Sequence, residues 1–105
     1  MGKFMILERA KITIKQGAME EFLKVLVEQA IPLTQTFTGI ISFTALRGEE
    51  DADNVMFLAE WQSLEAHLAS RPEPAHAKFR EIVVPYVAAA KTTVHFHPVK
   101  SVKPA

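Results

Sequence analysis

His67, His76, a lone tryptophan at Trp61 and a carboxylate at Glu8 are the side chains best suited to handle a proton beside an apolar surface. Trp61 closes the run Val55-Met56-Phe57-Leu58-Ala59-Glu60-Trp61, and Gln62-Ser63-Leu64-Glu65-Ala66 follows at once. A rigid aromatic at such a strand-to-helix junction is placed to wall a pocket between a sheet and its covering helix. His67 follows shortly after, and His76 lies beyond two prolines. As neutral imidazoles, both can take a phenolic or enolic proton near neutral pH. The ordinary alternative for each is a hydrogen-bonded or exposed helix residue. His67 is the first choice as base because it follows the tryptophan so closely.

Other groups carry weaker signals. Glu8 interrupts the apolar face of the first strand; burial there would raise its pKa and make it a second base, whereas a solvated strand end would not. Arg80 can bind an anionic group on a ligand or pair with Glu8, the ordinary alternative being an exposed helix salt bridge. His95 and His97 alternate onto one face of the last strand, which is half of a metal site. With no third ligand placed by sequence, a solvated edge or interface pair is the simpler reading, and no metal is expected. Phe22, Phe37, Phe43, Phe57 and Phe79 supply a core, and one or two of them can also line a cavity for a flat aromatic molecule.

Composition narrows the class. A chain of 105 residues with 49% apolar side chains supports one domain with one core. Twelve basic and twelve acidic side chains cancel, leaving no electrostatic footprint for nucleic acid and no polybasic stretch for a membrane surface. The absence of cysteine excludes disulfides, thiolate nucleophiles and Cys-based metal sites. No apolar run approaches the length of a spanning helix, and the start of the chain lacks the apolar stretch of a signal peptide. The expectation is a cytoplasmic protein.

The elements that must position these groups follow from periodicity. Phe4 to Lys15 alternates as a strand, with Phe4, Ile6, Ala10, Ile12 and Ile14 on one face. From Ala18 the spacing becomes helical through Phe22, Leu26 and Ala30, until Pro32 kinks or ends the helix. Ile40 to Arg47 and Val55 to Trp61 form a hairpin across an acidic turn. Ser63 caps a short helix beginning at Leu64. Arg71-Pro72-Glu73-Pro74 interrupts it, and a longer helix runs from about Ala75 to Ala90, bent at Pro85. Thr92 to His97 is the final strand and Pro98 onward a tail. The order β-α-β-β-α-β predicts an α+β, ferredoxin-like antiparallel sheet with helices on one face. Met5, Leu7, Met56 and Leu58 make the other face apolar too, so a homodimer through that face is expected.

Several stretches resemble one known family: Ile12-Thr13-Ile14-Lys15-Gln16-Gly17 leading into Glu21-Phe22-Leu23, Phe37-Thr38-Gly39-Ile40-Ile41-Ser42-Phe43, Ala59-Glu60-Trp61-Gln62-Ser63-Leu64-Glu65-Ala66, and Phe79 in the second long helix. From Ala10 to about Phe96 the chain is similar to the antibiotic biosynthesis monooxygenases, of the dimeric α+β barrel superfamily. The resemblance implies a single such domain over residues 1–98 with a tail at 99–105. Known members include cofactor-independent oxygenases of anthrones and hydroquinones, a quinol monooxygenase, a signal-molecule isomerase and haem-degrading oxygenases. The haem-degrading triad of asparagine, tryptophan and histidine falls here on Ala10, Ser70 and Arg80, so that chemistry is not implied. In the anthrone-oxidising branch, Trp61 matches a pocket tryptophan. The neighbouring asparagine and tyrosine positions hold Phe57 and His67.

The resemblance and the residues together imply oxidation by O2 of a small electron-rich aromatic of hydroquinone or anthrone type, without a cofactor. His67 and Trp61 are the expected catalytic residues, with Phe22, Phe57, His76, Phe79 and Arg80 contacting the substrate. The alternatives are a dimeric module that binds a small apolar molecule without turnover, and a structural dimer whose core leaves no cavity.

Overall fold

Strand β1 (Ile6–Ile14) organises the computed structural model, which describes residues 5–104. Ile12 and Ile14 point into the core, as the alternation requires. Phe4, assigned to the same face from sequence, lies outside the described residues. β2 (Ile40–Arg47) and β3 (Asn54–Trp61) form the expected antiparallel hairpin, and β3 pairs with β1 from Ile6↔Trp61 to Thr13↔Asn54. The sheet runs β2-β3-β1-β4, with β5 sharing the β4 edge of β1. This is the ferredoxin-like α+β architecture, antiparallel throughout.

Helix α1 (Met19–Val25) carries Glu20 and Glu21 in its first turn, where the helix dipole favours acid. Its continuation is not regular. Leu26–Ala30 widens into a π-helical turn closed by the Ile31 amide on the Leu26 carbonyl, and α2 (Ile31–Thr34) follows with Pro32 in its first turn. A regular α-turn would press the Pro32 ring against the Glu28 carbonyl, and the wider turn relieves that crowding. Phe22 and Leu26 are buried against the sheet, each worth roughly 1.5–3 kcal/mol of apolar burial.

Helix α3 (Leu64–Ser70) starts as expected at Ser63, whose Oγ accepts from the Ala66 amide at 3.1 Å. Its entry is fixed by Gly39, which has φ +84° and lies so close that an added Cβ would sit 2.7 Å from the Ala66 Cβ. Only glycine satisfies both conditions at once. The first turn of α3 is thereby seated beside β2, and His67 is brought over the sheet. Helix α4 (Pro74–Val83) follows the proline-bearing break, with Phe79 and Val83 buried.

The end of the chain departs from expectation. The second long helix stops at Val83 and does not reach Ala90: a 3₁₀ turn, Val84–Tyr86, contains Pro85, and the chain then extends into β4 (Val87–Ala90). Pro85 withholds a helical donor, while Val87 to Ala90 gain the open edge of β1 through Ile14↔Val87 and Ile12↔Ala90. Pairing along that edge outweighs the helical preference of the alanines. β5 (Val94–Phe96) is shorter than the expected strand; it pairs with β1 and sets Glu8 opposite His95. His97 lies beyond the strand end, exposed, so the His95/His97 pair does not form. Among the described residues, no helix is long and apolar enough to cross a membrane, and no cluster of acidic and histidine side chains can hold a metal ion.

Candidate functional site

Between the sheet and helices α3 and α4 lies a cavity of about 160 Å³ beside Trp61. Its apolar walls are Phe37, Phe43, Phe57, Trp61 and Phe79, and Glu8, His67, Arg71, His76 and Arg80 bring polar groups to it. A wider and more open depression of about 410 Å³ at the β2–β3 turn is lined by neither histidine nor aromatic rings, so it offers no comparable chemistry.

The aromatic walls form a layered stack. Phe37 lies nearly parallel to His76, with centroids 4.5 Å apart, and to Trp61 at 6.1 Å. Trp61 in turn stacks on His67 at 4.6 Å. Phe79 closes the opposite side, meeting Phe37, Phe43 and Phe57 edge-on. Such interlocked rings make stiff walls. Phe22 is not among them: it is fully buried in the main core, against Tyr86. Of the residues expected at the site, Phe57, Trp61, His67, His76, Phe79 and Arg80 meet at the cavity.

Glu8 is the polar centre. Its side chain is 15% exposed, and its Oε1 accepts the Trp61 indole N–H at 2.8 Å and lies 3.3 Å from Nε2 of His67. A carboxylate can only accept, so His67 must present a proton on Nε2. Nδ1 of His67 then accepts, and Nε2 of His95 donates to it across 2.7 Å. Both ring nitrogens of His67 are therefore engaged. Burial, then the neighbouring His95 and Arg71, lower its pKa to about 4.

His76 is arranged differently. Ser70 Oγ donates its one proton to the His67 carbonyl at 2.8 Å, so toward Nδ1 of His76, 3.2 Å away, it must accept. His76 thus carries its proton on Nδ1 and keeps an unshared pair on Nε2. Its pKa is also lowered, first by burial, then by Arg80 and His67, against the opposing pull of Glu8 and of a hydrogen bond to the Ser70 backbone. The ring is neutral at physiological pH and basic at one nitrogen.

Sequence reasoning missed Ser70, Arg71, Ala10 and Thr93 as parts of this site. Ser70 and Arg71 close a short helix with no motif around them. Ala10 and Thr93 meet the cavity only through strand pairing, which no local pattern displays.

The family model of the antibiotic biosynthesis monooxygenases matches residues 5–82. No curated protein sequence matches the chain. Among solved structures, a protein of Bordetella bronchiseptica assigned to that family is 23% identical, with 93% of this chain and 100% of that one covered and a TM-score of 0.83. SnoaB, a cofactor-independent oxygenase from Streptomyces nogalater, is 15% identical over 96% of this chain and 99% of its own, with a TM-score of 0.80. A conserved protein from Methanosarcina mazei is 18% identical, with coverages of 93% and 94% and a TM-score of 0.72. At these identities the structural likeness speaks for the fold alone. The family match spans most of the chain, and the chain belongs to the antibiotic biosynthesis monooxygenase family.

Proposed function

We propose that this family member binds a small electron-rich aromatic of hydroquinone type beside Trp61 and oxidises it with O2. The observation that carries this reading is a neutral imidazole, His76, with a free ring nitrogen at the edge of a cavity walled by stacked aromatics. The base is assigned to His76 and not His67, whose two nitrogens already have partners. Trp61 and the phenylalanines orient the ring and exclude water.

In the proposed reaction, Nε2 of His76 takes the phenolic proton and the phenolate transfers an electron to O2. The radical pair then joins at a ring carbon as a peroxide anion, the His76 imidazolium returns its proton to give the hydroperoxide, and loss of water, which takes the hydrogen of that carbon, leaves a new carbonyl. One oxygen atom thus stays on the ring and the other leaves as water. The chemistry asks for no flavin or metal.

Cavity size selects among substrates. A space of about 160 Å³ is close to that of an engineered protein cavity that takes benzene, about 150 Å³, and below the roughly 300–1,000 Å³ of sites for larger ligands. One ring fits better than the three fused rings of an anthrone. The protein is further proposed to act in the cytoplasm as a homodimer, through the helix-free face on which Leu46, Val94 and Phe96 are exposed. The alternative, binding without turnover, draws support from the paired state of His67. Oxygen uptake with hydroquinone tests the reading: uptake above the protein-free rate supports oxidation, and ligand retention without uptake supports the binding module.

A further inference from the structure

Two guanidinium groups reach this cavity, one from the end of α3 and one from α4, and among the described residues neither is ion-paired. Arg71 follows the last turn of α3, and Arg80 comes from α4. Both line the same cavity and both are exposed residues. Arg80 Nη2 donates to the Arg71 carbonyl at 3.1 Å, a helix-end carbonyl that favours a cation. That bond ties the Arg80 head beside Arg71 and occupies only one of its five donors. Among the described residues, neither guanidinium has a carboxylate within ion-pair distance. The acid of the cavity, Glu8, is instead held by Trp61 and His67. Each arginine is nonetheless felt inside, Arg71 by His67 and Arg80 by His76.

We infer that Arg71 and Arg80 form a carboxylate-binding rim, so that the preferred ligand of this site is a single-ring aromatic acid. The ring occupies the cavity that Phe37, Trp61 and Phe79 wall, and the carboxylate remains at the mouth against the two planar forks. Arginine suits this role because paired N–H groups match the two oxygens of a carboxylate, which a lysine ammonium does not. Charge supports the same assignment. The two guanidiniums and one carboxylate at the cavity leave one positive charge, which a monoanion neutralises. The inference rests on the proposed use of the cavity as a ligand site, and it specifies the substrate of that reaction as a hydroxylated benzoate.

The test uses benzoate and benzamide, nearly isosteric and neither oxidisable as a phenol, with binding read from the fluorescence of the single tryptophan and by calorimetry. Benzoate is expected to bind about tenfold more tightly than benzamide, the scale of one charge-assisted hydrogen bond at a partly solvated rim. The preference should shrink with added salt and fall close to one in Arg71→Gln/Arg80→Gln. Arg80→Lys, which keeps the charge and removes the fork, should retain only part of it. Equal binding of the two probes by the wild-type protein, or a preference that survives the double substitution, overturns the inference. Benzoate selectivity without oxygen uptake on 2,5-dihydroxybenzoate would leave the rim standing and remove the oxygenase. Hydroquinone oxidation without benzoate selectivity would do the reverse.

Discussion

Ser70 Oγ and Nδ1 of His76 lie 3.2 Å apart, and the imidazole is the donor between them because Ser70 gives its proton to the His67 carbonyl. This contact selects the tautomer that leaves Nε2 basic. Ser70→Ala should weaken the hold on the Nδ1 proton, leaving only the backbone of residue 70 to favour that tautomer, and lower turnover by up to about tenfold with the imidazole still present. Comparison of kcat with thermal stability checks this, since a purely structural Ser70 would change stability without changing kcat.

The buried state of His67 predicts a particular acid sensitivity. Its folded pKa is lowered to about 4 from the ordinary 6.5, so the unfolded chain binds the proton more readily between those values. Stability is therefore complete above about pH 6.5 and falls as pH drops toward 4. The loss at pH 5 relative to pH 7 is at most roughly 2 kcal/mol. Urea denaturation at the two pH values measures it, and His67→Gln should flatten the dependence. Turnover should likewise rise from acid and level off near neutrality as His76 loses its proton, its own pKa being lowered.

Much of this architecture was legible because it depends on local periodicity. The alternation of β1, the hairpin and the Ser63 cap all use contacts close in sequence. Glu8 stood out as a carboxylate on an apolar face, but its partners are Trp61 and His67, which only strand pairing and the seating of α3 bring to it. Val87 to Ala90 was misread as helix because alanine carries no sign of the free β1 edge that captures it. Phe22 and Phe37 look equivalent in the sequence and both belong to the core, but Phe37, in the turn after α2, also walls the cavity, whereas Phe22 on α1 does not reach it.

The Trp61–Glu8 bond is predicted to be a strong coupling. Trp61→Phe keeps an aromatic wall and removes the indole donor; Glu8→Gln keeps the shape and removes the charge. A double-mutant cycle should give about 1.5–3 kcal/mol of interaction, as for a hydrogen bond to a charged group. A value near zero would mean that the carboxylate does not depend on the indole.

Filling the hollow should abolish function without abolishing the fold. Ala10 lines the cavity and faces Phe57 across the strand pair. Ala10→Leu places a larger side chain in about 160 Å³ of space, with a stability cost within about 1–3 kcal/mol. Ligand binding by fluorescence should disappear while circular dichroism remains native. Retained binding would place the ligand elsewhere.

The most direct measurement is oxygen uptake with hydroquinone near pH 7, comparing metal-stripped wild-type protein with His76→Gln. The wild type should consume O2 above the protein-free rate, and the variant should lose about 10²-fold or more of that rate while staying folded. An inert wild-type protein, or a His76→Gln variant as active as the wild type, would contradict the assignment of His76 as the base.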